Sequence, residues 1–258
     1  MDVRRLLRIE NIAQNIIPQV NSFEDFWEKF RGKINPPPPE VVGFKSIAAY
    51  RTGLDIQPVI MELAKSQFNA LKKTTGEKPP RLSDKSLIDF LVIQTLEVAA
   101  KYKMPIQFHT GFGDPDLDLR LSNPLHLRCL LENNRFRNAP IVLLHSSYPY
   151  TREAGYLASV YPNIYIGFGL AIPSLSVAGM RCVVRQLMEL APISKLMYSS
   201  DAHLIPDLYY LGAKWGRKVL EKVLDESVRD GDLTVKETEE TAMDILRGNA
   251  SRIYQLNI

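Results

Sequence analysis

The chain holds four histidines, and two of them close short apolar runs, Pro105-Ile106-Gln107-Phe108-His109 and Ile141-Val142-Leu143-Leu144-His145. A third run, Lys195-Leu196-Met197-Tyr198-Ser199-Ser200-Asp201, closes on an aspartate. Neutral imidazole and carboxylate are ligands for Zn²⁺ and similar divalent ions, and both move protons near neutral pH. Taken singly, a histidine at the end of an apolar run is more often structural. Two histidines and an aspartate at three such ends point instead to one reaction site. The three lie far apart in sequence, so only a sheet or barrel brings them together, and the fold is part of the hypothesis.

Weaker signals surround them. Thr110-Gly111-Phe112-Gly113-Asp114 follows His109 and is either a Gly-rich turn or a loop over the site. Its glycines do not match a phosphate-binding loop, so no nucleotide is implied. Tyr50 and Arg51 lie just beyond a β-rich run at residues 41–47, within which Lys45 sits. Arg51 can grip a substrate carboxylate through a bidentate contact, or it can form a rim salt bridge. His203, two residues past Asp201, either faces the site or solvent. His126 lies in the first turns of a helix and reads as solvated.

The elements that must position these residues follow from periodicity. Residues 1–34 read as mostly helix, with apolar residues at Leu6, Leu7, Ile9, Ile12 and Ile16. Pro18 breaks the pattern, and Ser22 with Asp25 resembles a capping box for a second helix. Pro36 to Pro39 is a stiff linker with no strand before it. The chain thus divides into 1–40, a helical segment with its linker, and 41–258. In the latter, short strands at residues 41–47, 105–109, 141–145, 163–167 and 195–201 alternate with helices. These helices read as 58–75, 83–102, a start at Ser122-Asn123-Pro124, 151–160, 176–190, 206–228 and 234–255. Pro near helix starts and Thr234 with Glu237 supply N-terminal signals. Five short apolar strands alternating with helices predict a parallel sheet covered by helices. In such folds function concentrates at the C-terminal strand ends, where His109, His145 and Asp201 stand.

Composition excludes several classes. The 258 residues are 45% hydrophobic and 24% charged, ordinary for a globular protein, with net charge +3. No run of five like charges occurs, so neither nucleic acid nor an anionic membrane is implied as partner. No apolar signal core or span of 18 apolar residues is present, and the cytoplasm is the expected compartment. Cys129 and Cys182 sit in apolar helical patterns and are expected to be buried, reduced and unpaired.

Several strings together resemble a known family. They are Gln107-Phe108-His109-Thr110-Gly111, Leu143-Leu144-His145-Ser146-Ser147-Tyr148-Pro149, Tyr198-Ser199-Ser200-Asp201-Ala202-His203, residues 43–51 and residues 245–252. They are similar to the amidohydrolase-related (amidohydrolase 2) family, in the branch of FluG and nodulin type fused to glutamine-synthetase-like domains. The resemblance spans nearly the whole chain. It implies a (β/α)₈ TIM barrel binding one or two divalent metals, Zn²⁺ first and Mn²⁺ as alternative. By the same resemblance, His109 is a metal ligand, His145 a ligand or catalytic acid/base, and Asp201 a ligand that handles protons. Some relatives carry a carboxylated lysine at the end of the fourth strand, and Lys45 falls near that place.

One departure stands out: the family's first-strand His-x-His pair is absent from this sequence. The five strands then correspond to family strands four to eight, and the chain is expected to be an N-terminally shortened, incomplete barrel. The implied activity is hydrolysis of an amide C–N bond in a small-molecule substrate, of γ-glutamyl type by analogy. The alternatives are metal-dependent decarboxylation, or an inactive barrel serving as an interaction or regulatory module. Homo-oligomers or association with a glutamine-synthetase-like domain are the expected assemblies.

Overall fold

The computed structural model describes residues 3–256, in two compact units. Unit 1 takes in the chain up to His109, with Gly113–Ser122 and His126–Ile141; unit 2 takes in Thr110–Phe112, Asn123–Leu125 and the chain from Val142 onward.

Unit 1 contains strands β1 (Arg5–Arg8), β2 (Val41–Ser46) and β3 (Ile106–Phe108). Its helices are α1 (Ile9–Ile16), α2 (Phe23–Ile34), α3 (Met61–Thr74), α4 (Lys85–Tyr102) and α5 (Arg128–Leu131). The three strands lie in chain order, and β1–β2 and β2–β3 both pair parallel. Gly43 lets them approach: a Cβ there would stand 2.6 Å from the Pro105 carbonyl oxygen and 2.9 Å from Leu6 Cδ2. Helix α2 begins where Ser22 accepts from the Asp25 amide at 3.1 Å, and it buries Phe23, Phe26, Phe30 and Ile34. Phe23 and Phe26 pack on α3, with Phe26 stacked on Phe68 at 4.9 Å between ring centroids. Asp84 caps α4 through the Leu87 amide at 2.8 Å.

Strand β1 corrects the reading of residues 1–34 as helix with no strand before the linker. Four residues are too few to display a two-residue alternation, and α1 starts at once at Ile9. The apolar positions of α1, Ile9, Ala13 and Ile16, therefore extend their helical spacing backward over Leu6 and Leu7. The structure instead pairs Leu7 with Phe44 and Arg8 with Lys45.

Unit 2 contains β4 (Ile141–Leu143, entering this unit at Val142), β5 (Ile164–Gly167), β6 (Gly169–Leu170) and β7 (Leu196–Met197). Its helices are α6 (Thr151–Val160), α7 (Ala171–Ser174), α8 (Val177–Met188), α9 (Pro206–Asp230), α10 (Val235–Met243) and α11 (Asn249–Ile253). Sheet order is β4-β5-β7, and β5 and β7 pair parallel. Thr234 and Glu237 form a complete capping box at the start of α10. The single helix expected to Gln255 is interrupted by a π turn at Asp244–Gly248. Asn249 beyond it ties α11 to the sheet, its Nδ2 donating to the carbonyls of Ile193 (2.8 Å) and Leu196 (2.7 Å).

Both cysteines are free, as expected, but both are exposed. Each lies on the outer side of a helix whose buried positions are its neighbours, Leu130 and Leu131 in α5 and Val183 and Val184 in α8. No helix among the described residues is long and apolar enough to cross a membrane.

Candidate functional site

In unit 2 the chain leaves β4 and turns sharply. His145 is buried, and its Nδ1 stands 3.2 Å from the carbonyl oxygen of Gly169. A carbonyl only accepts, so Nδ1 carries the proton and donates, and Nε2 bears the lone pair of the neutral ring. Asp201 Oδ2 lies 3.9 Å from the same Nδ1, with the Asp201 side chain 35% exposed. The imidazole is thus held from below while the carboxylate remains open to solvent. Gly169 makes the approach possible: a Cβ on it would fall 2.2 Å from Ser199 Oγ and 3.2 Å from Asp201 Cβ.

The backbone of this rim is strained. His145, Ser146 and Ser147 have φ of 62°, 54° and 51°, and Asp201 has φ of 53°. A non-glycine residue in this left-handed region costs roughly 1–2 kcal/mol. Such positions persist where surrounding structure over-determines them, and they cluster at functional sites. The run is braced by Thr110, whose Oγ1 donates to the Leu144 carbonyl at 2.7 Å and accepts from Ser147 Oγ at 2.8 Å.

In unit 1, His109 directly follows β3 and is buried. Its ring packs on Tyr50 at 4.4 Å between centroids. The Tyr50 hydroxyl accepts from the Asp114 amide at 3.0 Å and donates to Asp114 Oδ2 at 3.4 Å. Burial, and after it the neighbouring Asp114 and Asp116 carboxylates, hold the Tyr50 phenol above its ordinary range. Gly113 is required here, since a Cβ would reach 2.0 Å from the Tyr50 hydroxyl oxygen and 2.9 Å from His109 Nε2. The glycine-containing segment after His109 is therefore a built loop in contact with both rings.

Arg51 follows Tyr50 and is partly buried; its Nε is shielded from solvent and has no hydrogen-bond partner. Arg81 donates to the Tyr50 carbonyl at 3.3 Å and pairs with Asp116 at 2.8 Å. Lys45 is half-buried inside β2, one residue short of its end, in register with Arg8 and Gln107. His203 is exposed, its Nδ1 donating to the Asp201 carbonyl at 2.9 Å. His126 is exposed as well, against the Arg120 carbonyl.

Glu10 was not legible as a site residue. It follows β1 and is fully buried, with Oε1 accepting from Ser46 Oγ (2.7 Å) and the Ile47 amide (3.0 Å). Its Oε2 is buried without a partner. Burial raises its pKa, against the lowering effect of those hydrogen bonds.

The family model described as Amidohydrolase matches residues 70–256, more than half of the chain. The chain belongs to the amidohydrolase family. It is 37% identical to protein fluG of Emericella nidulans, over 98% of this chain and 32% of that protein. A protein from Lactobacillus casei whose proposed activity is metal-dependent hydrolysis superposes with a TM-score of 0.89 at 32% identity. That match covers 98% of this chain and 65% of the other. Glucuronate isomerase from Caulobacter crescentus matches with a TM-score of 0.66 at 19% identity, over 96% of this chain and 53% of the other; at that identity the likeness is one of fold. The chain thus spans about a third of the curated relative and about two thirds of the L. casei protein.

An amidohydrolase implies a divalent metal. One feature of this chain suits a ligand: His145 anchors Nδ1–H on a backbone carbonyl, the arrangement that orients a metal-binding imidazole. The donor set as a whole does not suit one. Among the described residues no group of three or more His, Cys, Asp or Glu side chains is arranged to hold an ion.

Proposed function

We propose that this chain carries the acid–base pair of an amidohydrolase-type hydrolase that cleaves an amide C–N bond of γ-glutamyl type. The observation that supports this reading is the His145–Asp201 pair, 3.9 Å apart, on left-handed backbone and with the ring anchored through Gly169. Asp201, open to solvent, takes the proton of the attacking water. His145 Nε2, which bears the lone pair, first takes a proton from solvent; the resulting imidazolium gives it to the leaving nitrogen as the C–N bond breaks, while Asp201 returns the water's proton to solvent. On the family pattern His109, with Tyr50 against its ring, would be a metal ligand. Imidazole and carboxylate donors prefer Zn²⁺, with Mn²⁺ as alternative, but the described residues hold no three-donor group, so the reading rests on the side chains alone.

A second reading, a non-catalytic interaction module, is favoured by the absence of a three-donor group among the described residues. The deciding experiment assays the purified chain on γ-glutamyl anilides with and without added Zn²⁺ or Mn²⁺. Release of the aniline that disappears in Asp201→Asn supports the hydrolase. A folded chain that releases none under any metal condition supports the module.

A further inference from the structure

Arg51 stands apart from the other rim cations of unit 1. Arg81 is neutralised by Asp116. Arg51 is partly buried, yet among the described residues no carboxylate lies within ion-pairing distance of it. Its Nε is shielded and unpartnered, and the adjacent Thr52 Oγ1 is likewise buried without a partner.

The segment that holds it is rigid. After β2 the chain enters a tight turn in which the amides of Arg51, Thr52 and Gly53 all converge on the Ala48 carbonyl, at 2.9, 2.9 and 3.0 Å. Tyr50 is pinned on one side by His109 and on the other by Asp114. The root of the Arg51 side chain is therefore fixed and its Nε shielded, so an anion that binds it need order only the outer side chain. Its electrostatic surroundings leave it short of negative charge. The charged groups that act on it are Arg81, Glu10, Asp116 and Arg8. With Arg51 included, these sum to one positive charge when Glu10 is ionised and two when it is protonated. Burial and then Arg81 depress the Arg51 pKa, so the charged form is held in an environment that disfavours it. A bound anion offsets the repulsion from Arg81 and supplies the partner that the shielded Nε lacks.

We propose that Arg51, with Arg81 beside it, is a carboxylate-binding subsite at the strand-end rim of unit 1, next to Tyr50 and His109. A guanidinium matches the planar, two-oxygen geometry of a carboxylate, and one or two excess positive charges match a mono- or dicarboxylate. The choice of a carboxylate as ligand rests on the hydrolase reading above, whose γ-glutamyl-type substrate carries one. The subsite itself is read from binding alone.

The test titrates the intact chain, by calorimetry and by NMR, with glutarate, with glutaramide and with inorganic phosphate. It is repeated on Arg51→Gln and Arg51→Lys, each checked for native circular dichroism. Glutarate is expected to bind the parent protein, glutaramide at least tenfold more weakly. Arg51→Gln is expected to lose tenfold or more in glutarate affinity, with Arg51→Lys intermediate because an ammonium cannot make the two-pronged contact. Should Arg51→Gln fail to fold, the lysine variant and the glutarate-to-glutaramide ratio still decide. Equal glutarate binding by parent and variants overturns the subsite. So does phosphate binding as tightly as glutarate with the same dependence on Arg51, which marks an unselective anion site. Arg51-dependent glutarate binding by a chain that hydrolyses no amide upholds the subsite and sinks the hydrolase. Hydrolysis of the γ-glutamyl anilide by a chain whose glutarate binding is unmoved by Arg51→Gln does the reverse.

Discussion

His145 Nδ1 donates to the carbonyl oxygen of Gly169 across 3.2 Å, joining the turn after β4 to the start of β6. The acceptor fixes the tautomer, because a carbonyl has no proton to give. We expect ¹⁵N–¹H correlation spectra of the neutral His145 ring to show a protonated Nδ1 and an unprotonated Nε2. A spectrum with the proton on Nε2 would remove His145 from the role assigned to it.

Asp201 separates function from folding. Its side chain is partly exposed and its backbone left-handed, a conformation asparagine also tolerates well. Asp201→Asn should therefore change stability by less than about 1 kcal/mol, or ~3 °C in Tm. Loss of a proton acceptor should cost about 10²–10⁴-fold in kcat for anilide hydrolysis. An unimpaired Asp201→Asn would mean that some other group takes the proton.

The strands that end just before His109 and His145 were legible because each is a short apolar run, and the helix starts at Ser22 and Thr234 because their capping chemistry is local; the run expected to carry a strand to Asp201 stops at Met197, four residues short of it. What escaped the sequence depends on tertiary contact. Four-residue β1 leaves no periodicity of its own beside the stronger pattern of α1. Glu10 looks like an ordinary first-turn glutamate until the end of β2 is placed against it. Gly169 serves through its carbonyl and its missing side chain, neither of which a residue type announces. The cysteines misled for the opposite reason: an apolar helix pattern tells which stripe is buried only when the facing element is known.

That Cys129 and Cys182 lie on the outer sides of their helices has a direct chemical consequence. Both thiols should react with Ellman's reagent in the native protein at rates close to those in the unfolded chain. Protection of either until denaturant is added would show that its helix is turned the other way or covered.

Metal affinity follows from the donor geometry. A catalytic zinc site ordinarily supplies three protein ligands and leaves a position for water, and no such triple occurs among the described residues. Calorimetric titration of the metal-free chain with Zn²⁺ should give a dissociation constant weaker than about 1 µM. Stoichiometric binding tighter than that, lost together in His109→Ala and Asp201→Ala, would mean that the ion itself gathers the ligands.

Glu10 makes stability depend on pH with a sign that can be worked out. Burial raises its folded pKa, so the native state keeps a proton that the unfolded chain gives up once pH exceeds the ordinary glutamate range. Stability then falls as pH rises through that window and levels off above the folded pKa. Glu10→Gln keeps an acceptor for Ser46 and the Ile47 amide but cannot titrate. Its amide nitrogen takes the place of the unpartnered Oε2, so the variant should be the less stable protein at low pH, where wild-type Glu10 is neutral in both states. As pH increases, the wild type loses stability that the variant does not. Urea unfolding of both proteins from about pH 4 to about pH 8 should therefore show the variant's deficit shrinking with pH and then holding constant. A deficit that grows with pH would mean that Glu10 is ionised in the native state and held by a cation or a bound ligand at Oε2.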